Sequence, residues 1–206
     1  MPTLPRAIFW QRTDTAGSDI AFVDDRRGLV ARGMVTVAAP VPHAFRYELS
    51  TDENWATSRL EVVAEGAGWQ RTARLERAAG RWRVTTAERG DLDAALRAAG
   101  RAPAGLPGTE EPLRLSEALD VDVFAAPLFN TLPVRRLGLV RAPAGTARTI
   151  VVAYVAVPSL AVIPAEQTYT VVDAKTLRYT SGTFTADLRV DADGFVEHYP
   201  GLAERV

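Results

Sequence analysis

The sequence predicts a mainly β protein: a large curved antiparallel sheet, or incomplete β-barrel, built from two β-rich halves with one short helix and loop inserted between them. Three observations predict this. Apolar and polar residues alternate with period two over most of the chain, as in strands that bury one face. Tetrads such as "EGAG" and "RAAG" punctuate the alternation, and their Gly supplies the positive φ of tight hairpins. The connections are short, which suits antiparallel meanders, whereas parallel crossovers need many more residues.

In chain order, "AFRYELS" sets Phe45, Tyr47 and Leu49 on one face and Arg46, Glu48 and Ser50 on the other. "RLEVVAEGAGWQRTARLERAAGRWRVTTAE" reads as three strands joined by the two Gly turns. "GDLDAALRAAG", residues 90–100, breaks the rhythm: Asp91 is a helix N-cap, the interior holds good helix formers and Gly100 is a stop. "RAPAGLPGTEEP" follows without periodicity. Residues 88–118 are therefore expected to be a helix and flexible loop inserted within a single β-rich domain, 1–206. Beyond it, "ARTIVVAYVAV", "AEQTYTVVD", "TLRYTSGTFTADLRV" and "GFVEHY" are β-rich, with "DADG" a turn before the last. Each half is expected to supply roughly six or seven strands. A sheet this wide curls, and its interior is then either filled by side chains or open to a ligand. Ala153, Ala156, Ala161 and Gly182 are small residues expected to face that interior.

At 206 residues, 47% hydrophobic and 24% charged, the chain is long enough to close a substantial core. A net charge of -1 without a polybasic block argues against nucleic acid and anionic membrane surfaces as partners. The absence of Cys removes disulfides, thiol nucleophiles and thiolate metal sites. With only His43 and His198 present, a histidine-rich metal site is excluded too, and no metal or cofactor is expected. His43 is expected at the surface, and His198 points away from its neighbour Glu197. "MPTLPRAIFWQRTD" lacks a charged n-region followed by an apolar h-region, and no later run is long enough to span a bilayer. The expectation is a cytoplasmic protein with no transmembrane segment, its oligomeric state left open. Lys175 is the sole lysine among 24 basic residues, so arginine is simply this chain's base.

Within that background "FNTLPVRRL", residues 129–137, is unusual. Read as a strand, it sets Arg135 on the face of Leu137 and Leu139, and Arg136 on that of Val134 and Val140. One guanidinium then enters a buried face and needs a partner or a ligand. "DVDVF" places Asp120 and Asp122 on one strand face, either to divide acid and base roles or to pair with the two arginines. Trp55, after the turn residues Asp52, Glu53 and Asn54, enters a strand on the face of Thr57, Arg59 and Glu61. There it either stacks on a sugar ring or covers the end of the core. No nucleophile elbow and no glycine-rich phosphate loop occurs.

The phrases "YELSTDENWATSRLEV", "DVDVFAAPLFNTLPVRRLGL", "VAYVAVPSLAVIPAEQTYT" and "VDADGFVEHYPGL" together resemble the glycolipid-binding family of bacteria, in the family's order and over nearly the whole chain. "NTLPVRRL" is the most specific of them. The resemblance implies a fold similar to bacterial lipoprotein carriers, a curved sheet around an apolar cavity suited to an acyl chain. The matching positions are Asp52, Trp55, Asp122, Asn130, Thr131, Arg135, Arg136, Gln167, Tyr169 and Tyr199. Those expected to contact ligand are Arg135, Arg136, Asp122, Asn130, Trp55, Gln167, Tyr169 and Tyr199, with Arg135 or Arg136 at the cavity wall or mouth, held by Asp120 or Asp122. The chain departs from the family at His198, where an acidic residue usually precedes Tyr-Pro-Gly. Residues 88–118 match nothing in the family pattern.

Three functions compete. A non-enzymatic binder of a lipid or glycolipid-like amphiphile needs a continuous apolar cavity reaching the surface. An enzyme on the same scaffold, using an Asp and an Arg, needs a carboxylate in a cleft with a raised pKa. A structural assembly module needs a filled interior and an open sheet edge.

Overall fold

The structure is a computed structural model in which residues 6–108 and 112–206 are described. Residues 109–111, part of the expected flexible loop, lie outside the described residues. The first half comprises β1 (Arg6–Arg12), β2 (Gly17–Asp24), β3 (Val30–Val37), β4 (His43–Thr51), β5 (Thr57–Gly66), β6 (Trp69–Ala78) and β7 (Arg81–Gly90). The second comprises β8 (Asp120–Val123), β9 (Ala147–Val155), β10 (Val162–Val171), β11 (Thr176–Ser181), β12 (Phe184–Val190), β13 (Val196–Tyr199) and β14 (Ala203–Arg205).

The two halves are meanders of one curved sheet. They join at the middle, where the first strand pairs with the last: Trp10 is opposite Arg205 and Arg12 opposite Ala203. β7 and β8 are the two edges, so the sheet curls without closing into a hydrogen-bonded barrel. The alternation read from the sequence holds in the first half, with Phe45, Tyr47 and Leu49 buried on β4 and Arg46 and Glu48 exposed. The β5–β6 and β6–β7 hairpins turn at Gly68 and Gly80, both at positive φ.

Two local expectations are overturned. "FNTLPVRRL" is not a strand: Pro127–Asn130 forms a single 3-10 turn that runs into α3, Thr131–Arg136. Pro127 opens that turn, and Pro133 sits in the first turn of α3, where a backbone N–H is not required. A short apolar run reads alike as a strand or as a helix buried on more than one side. Here Leu128, Phe129 and Leu132 enter a core with Trp10, Tyr47 and Leu60, while Val134 and Leu139 enter another with Tyr169, Leu177 and Leu188. The sheet is also not wholly antiparallel. β8 runs parallel to β9, Asp120 opposite Val152 and Val123 opposite Val155, and residues 124–146 make the long crossover that such a pair requires. That crossover is the plug of the fold.

The plug fills the first half, where Phe129 meets Tyr47 edge to face at 5.1 Å. Tyr47 lies across the strand onto Gly33, where a Cβ would come 2.3 Å from the ring. Beside these groups Asp19 is fully buried on β2, opposite Trp10 and Val35. Among the described residues, neither Asp19 oxygen nor the Tyr47 hydroxyl has a hydrogen bond of regular geometry. Burial pushes the Asp19 carboxyl up to about 8, against the opposing pull of the Arg12 charge and the Tyr47 hydroxyl.

The described residues of 88–118 strap the two edges together. In α1 (Leu92–Ala98) the Asp91 carboxylate accepts the Ala94 N–H at 2.8 Å. Buried Arg71 donates to Glu88, to the Ser159 carbonyl at 3.0 Å and to the Gly105 carbonyl, joining β6, β7, the strap and the β9–β10 turn. A short helix, α2 (Pro112–Leu115), completes it, and Trp82 on β7 donates to the Ala118 carbonyl at 3.1 Å. Leu106 and Leu113 remain exposed on it. His43, expected at the surface, is half-buried against Phe45 and Trp69, with Nδ1 2.7 Å from the Val41 carbonyl. Burial lowers its pKa. No helix among the described residues is long and apolar enough to cross a membrane.

Candidate ligand-binding cavity

The second half is filled only in part, by the core around Val134, Leu139 and Leu188, and leaves a cavity beside it. Register places Asp122 on β8 beside Tyr154 on β9, and Tyr154 beside Ile163 on β10. Period two carries the Ile163 face along β10 through Ala165 and Gln167 to Tyr169, which stands opposite Tyr179 on β11. Tyr179 is the hub of an aromatic group: its ring centre lies 5.3 Å from that of Tyr169, 6.1 Å from Phe184 and 6.2 Å from Tyr199. All of these side chains except Gln167 and Tyr169 line a cavity of about 520 Å³. Val123, Ala125, Ala126 and Leu202 add aliphatic wall, and Asp14, Asn130 and Ser181 add polar atoms. Phe124 and Phe184, 47% and 48% exposed, flank the way out.

A directed chain of hydrogen bonds runs behind the wall. The Asn130 amide donates to the Tyr169 hydroxyl at 2.9 Å, that hydroxyl donates to Gln167 Oε1 at 3.2 Å, and Gln167 Nε2 donates to Asp122 Oδ2 at 2.6 Å. Asn130, Gln167 and Tyr169 are buried, so the chain fixes the amide and hydroxyl directions and ends on the carboxylate that lines the cavity. Burial pushes the Asp122 carboxyl up to about 6, and the Gln167 bond pulls the other way. Burial and then the Asp122 charge raise the Tyr154 hydroxyl. At the rim, Arg12 holds Asp14 through two hydrogen bonds and donates to the Ala125 carbonyl at 3.3 Å, pinning a wall residue whose φ is 70.

The eight residues singled out from the sequence divide into two groups. Asp122, Asn130 and Tyr199 line the cavity, and Gln167 and Tyr169 form the chain behind it. Arg135, Arg136 and Trp55 do not line it. Arg136 grips Asp120 with Nε and Nη2, the latter 2.6 Å from Oδ2, and Asp120 is wholly buried. Arg135 instead lies over Trp55, its guanidinium carbon 4.5 Å from the ring centre, and donates to the Asp193 carbonyl. Trp55 is in the β4–β5 turn rather than in a strand, at φ 68. Asp52 Oδ1 shapes that turn by accepting the N–H groups of Asn54 and Ala56. The two arginines sit on consecutive residues of a helix end, so they diverge to separate partners.

Tyr154, Tyr179, Phe184 and Asp14 were not anticipated. "VAYVAV" and "TLRYTSGTF" carried the signal, an aromatic at an inward position of each strand, which a period-two reading of β9 and β11 recovers. Of the small residues expected to face the interior, Ala153 lies in the filled core, Ala156 and Ala161 are half-buried and Gly182 is exposed; none lines the cavity, where Ala125, Ala126 and Ala165 stand.

Fold and site together define a curved-sheet protein with one half filled and the other enclosing an aromatic, largely apolar cavity over a buried polar chain. The chain belongs to the family described as "Putative glycolipid-binding", whose profile matches residues 7–205. It is similar to a DUF1089 family protein of Pseudomonas aeruginosa known from a crystal structure: 26% identity, TM-score 0.62, covering 100% of this chain and 94% of that one. No curated protein matches.

Proposed function

We propose that the chain binds, without converting it, a lipid or glycolipid-like amphiphile in the tyrosine-lined cavity. The observation that carries this reading is the cavity of about 520 Å³ with Asp122 and Asn130 on its wall and two exposed phenylalanines at its exit. That volume lies within the range of small-molecule sites, which combine mostly apolar walls with a few fixed polar groups. Each methylene of an apolar chain taken in contributes about 0.8 kcal/mol, so the walls supply affinity and the polar group orientation. The family name agrees in kind.

Native mass spectrometry of gently purified protein, followed by denaturation and lipid extraction of the same sample, tests it. A stoichiometric extra mass that leaves on denaturation is expected. Clean apo protein from several preparations, retaining no added lipid, would remove the reading.

One observation favours a second reading, an enzyme using Asp122 as general acid or base: its carboxyl is in the cavity, unpaired with any arginine among the described residues and pushed up to about 6. Arg136, one of the two arginines expected beside Asp120 or Asp122, is committed to Asp120. Turnover of an extracted ligand by the parent but not by Asp122→Asn would establish that reading.

A further inference from the structure

We infer that the cavity selects an amphiphile with a protonated amine in its head group and discriminates against carboxylate and phosphate heads. This deepens the reading of the cavity as an amphiphile site and rests on it.

The first ground is the distribution of charge. The chain carries 24 Lys and Arg and 25 Asp and Glu residues, yet among the described residues the cavity wall includes two aspartates and no Lys, Arg or His. Asp14 is neutralised by Arg12, whose Nη2 is 2.5 Å from Oδ2. Asp122 has no ion pair among the described residues. Arg136, on the helix that packs against β8, is spent on Asp120. An anionic head entering this space would meet a carboxylate and find no basic side chain on the wall, whereas proteins that hold phosphate or carboxylate place Arg or Lys there.

The second ground is the direction of the hydrogen-bond chain. Asn130, Tyr169 and Gln167 donate in sequence toward Asp122, so the last group in the series is an acceptor. Gln167 occupies Oδ2, and among the described residues no hydrogen bond reaches Oδ1. A group that donates, and that carries positive charge, complements that oxygen.

The third ground is aromatic. Tyr154, Tyr179, Tyr199 and Phe184 line the same cavity as Asp122, and the negative faces of such rings attract an ammonium group. A carboxylate set among aromatic rings is a site for a cation on an apolar stem. Phe124 and Phe184, both on the cavity wall and about half exposed, offer that stem apolar surface.

Titration calorimetry on the full chain at low ionic strength, with three probes of equal alkyl length below their micelle concentrations, tests this. The probes are dodecylamine, dodecyl glucoside and dodecanoate. Dodecylamine is expected to bind at least about tenfold more tightly than the glucoside, with dodecanoate weakest. In Asp122→Asn the ratio of amine to glucoside affinity is expected to collapse toward one. Ala165→Trp, which fills the cavity, is expected to abolish heat from all three, separating cavity binding from adhesion to exposed apolar surface. If the glucoside or dodecanoate binds the parent as well as the amine does, the ammonium preference is overturned and the amphiphile reading stands. If no probe binds, the amphiphile reading falls and the inference falls with it. The parent ranking alone decides the matter should Asp122→Asn fail to fold.

Discussion

Arg135 stacks on Trp55, and this one contact ties three distant parts of the chain. The guanidinium lies 4.5 Å from the centre of the Trp55 ring while donating at 2.9 Å to the Asp193 carbonyl, so α3 joins the β4–β5 turn to the β12–β13 turn. Trp55 is buried, which strengthens an attraction worth about 0.5–2 kcal/mol. Arg135→Lys keeps the charge and loses the planar stack. Its expected cost is about 1 kcal/mol in urea unfolding, with a shift in tryptophan emission and unchanged amphiphile affinity. A loss of affinity at equal stability would instead bring Arg135 into the site.

Arg136 has a heavier structural task. Its partner Asp120 is fully buried, and burial raises the Asp120 carboxyl while the Arg136 hydrogen bonds and charge oppose that rise. Arg136→Ala leaves an unpaired buried carboxylate and is expected to cost about 3–5 kcal/mol. Replacing both residues, Arg136→Leu with Asp120→Leu, removes charge and partner together and is expected to recover much of the loss. A double variant no more stable than Arg136→Ala would show that the pair's value is not mutual.

The fate of these arginines shows what the sequence could carry. Hairpin turns and inward positions in β4 to β6 were legible because alternation and Gly encode them locally. "FNTLPVRRL" was not, because a six-residue helix buried between two cores has the same apolar run as a strand, and only the tertiary position of the plug distinguishes them. The cavity chain was half legible. Asn130, Gln167 and Tyr169 stood out through the family resemblance, but their order behind Asp122 depends on the register of three strands and a plug far apart in sequence. Tyr154 and Tyr179 hold inward positions by period two, but whether an inward position meets filled core or open cavity depends on where the crossover packs, which no local pattern encodes.

Asp19 gives the protein a pH-dependent stability. Its ordinary pKa of 3.8 describes the unfolded chain, and burial pushes the folded value up to about 8. Between these values the folded state holds the extra proton, so stability falls as pH rises across the window; the full cost is present above it and absent below it. Asp19→Asn is expected to unfold later than the parent in urea at pH 8.5, by on the order of a few kcal/mol, and to match it closely near pH 4. Equal midpoints at both pH values would mean that Asp19 remains charged, supported by Arg12.

The cavity itself is best tested by a substitution that adds rather than removes atoms. Ala165 lines the cavity on β10, and its neighbour Glu166 points outward from the same strand and is exposed. Ala165→Trp places an indole where an amphiphile chain would lie. Because it fills space instead of creating a void, it is expected to leave the unfolding free energy within about 1 kcal/mol of the parent. Affinity for an alkyl probe is expected to fall by at least about a hundredfold, equal to about 2.7 kcal/mol, since several methylenes lose their burial. Glu166→Trp adds the same side chain one residue away on the opposite face, and its expected effect on affinity is nil. Period-two geometry thus supplies the control. If the two variants bound the probe equally well, the chain would have to lie outside the cavity.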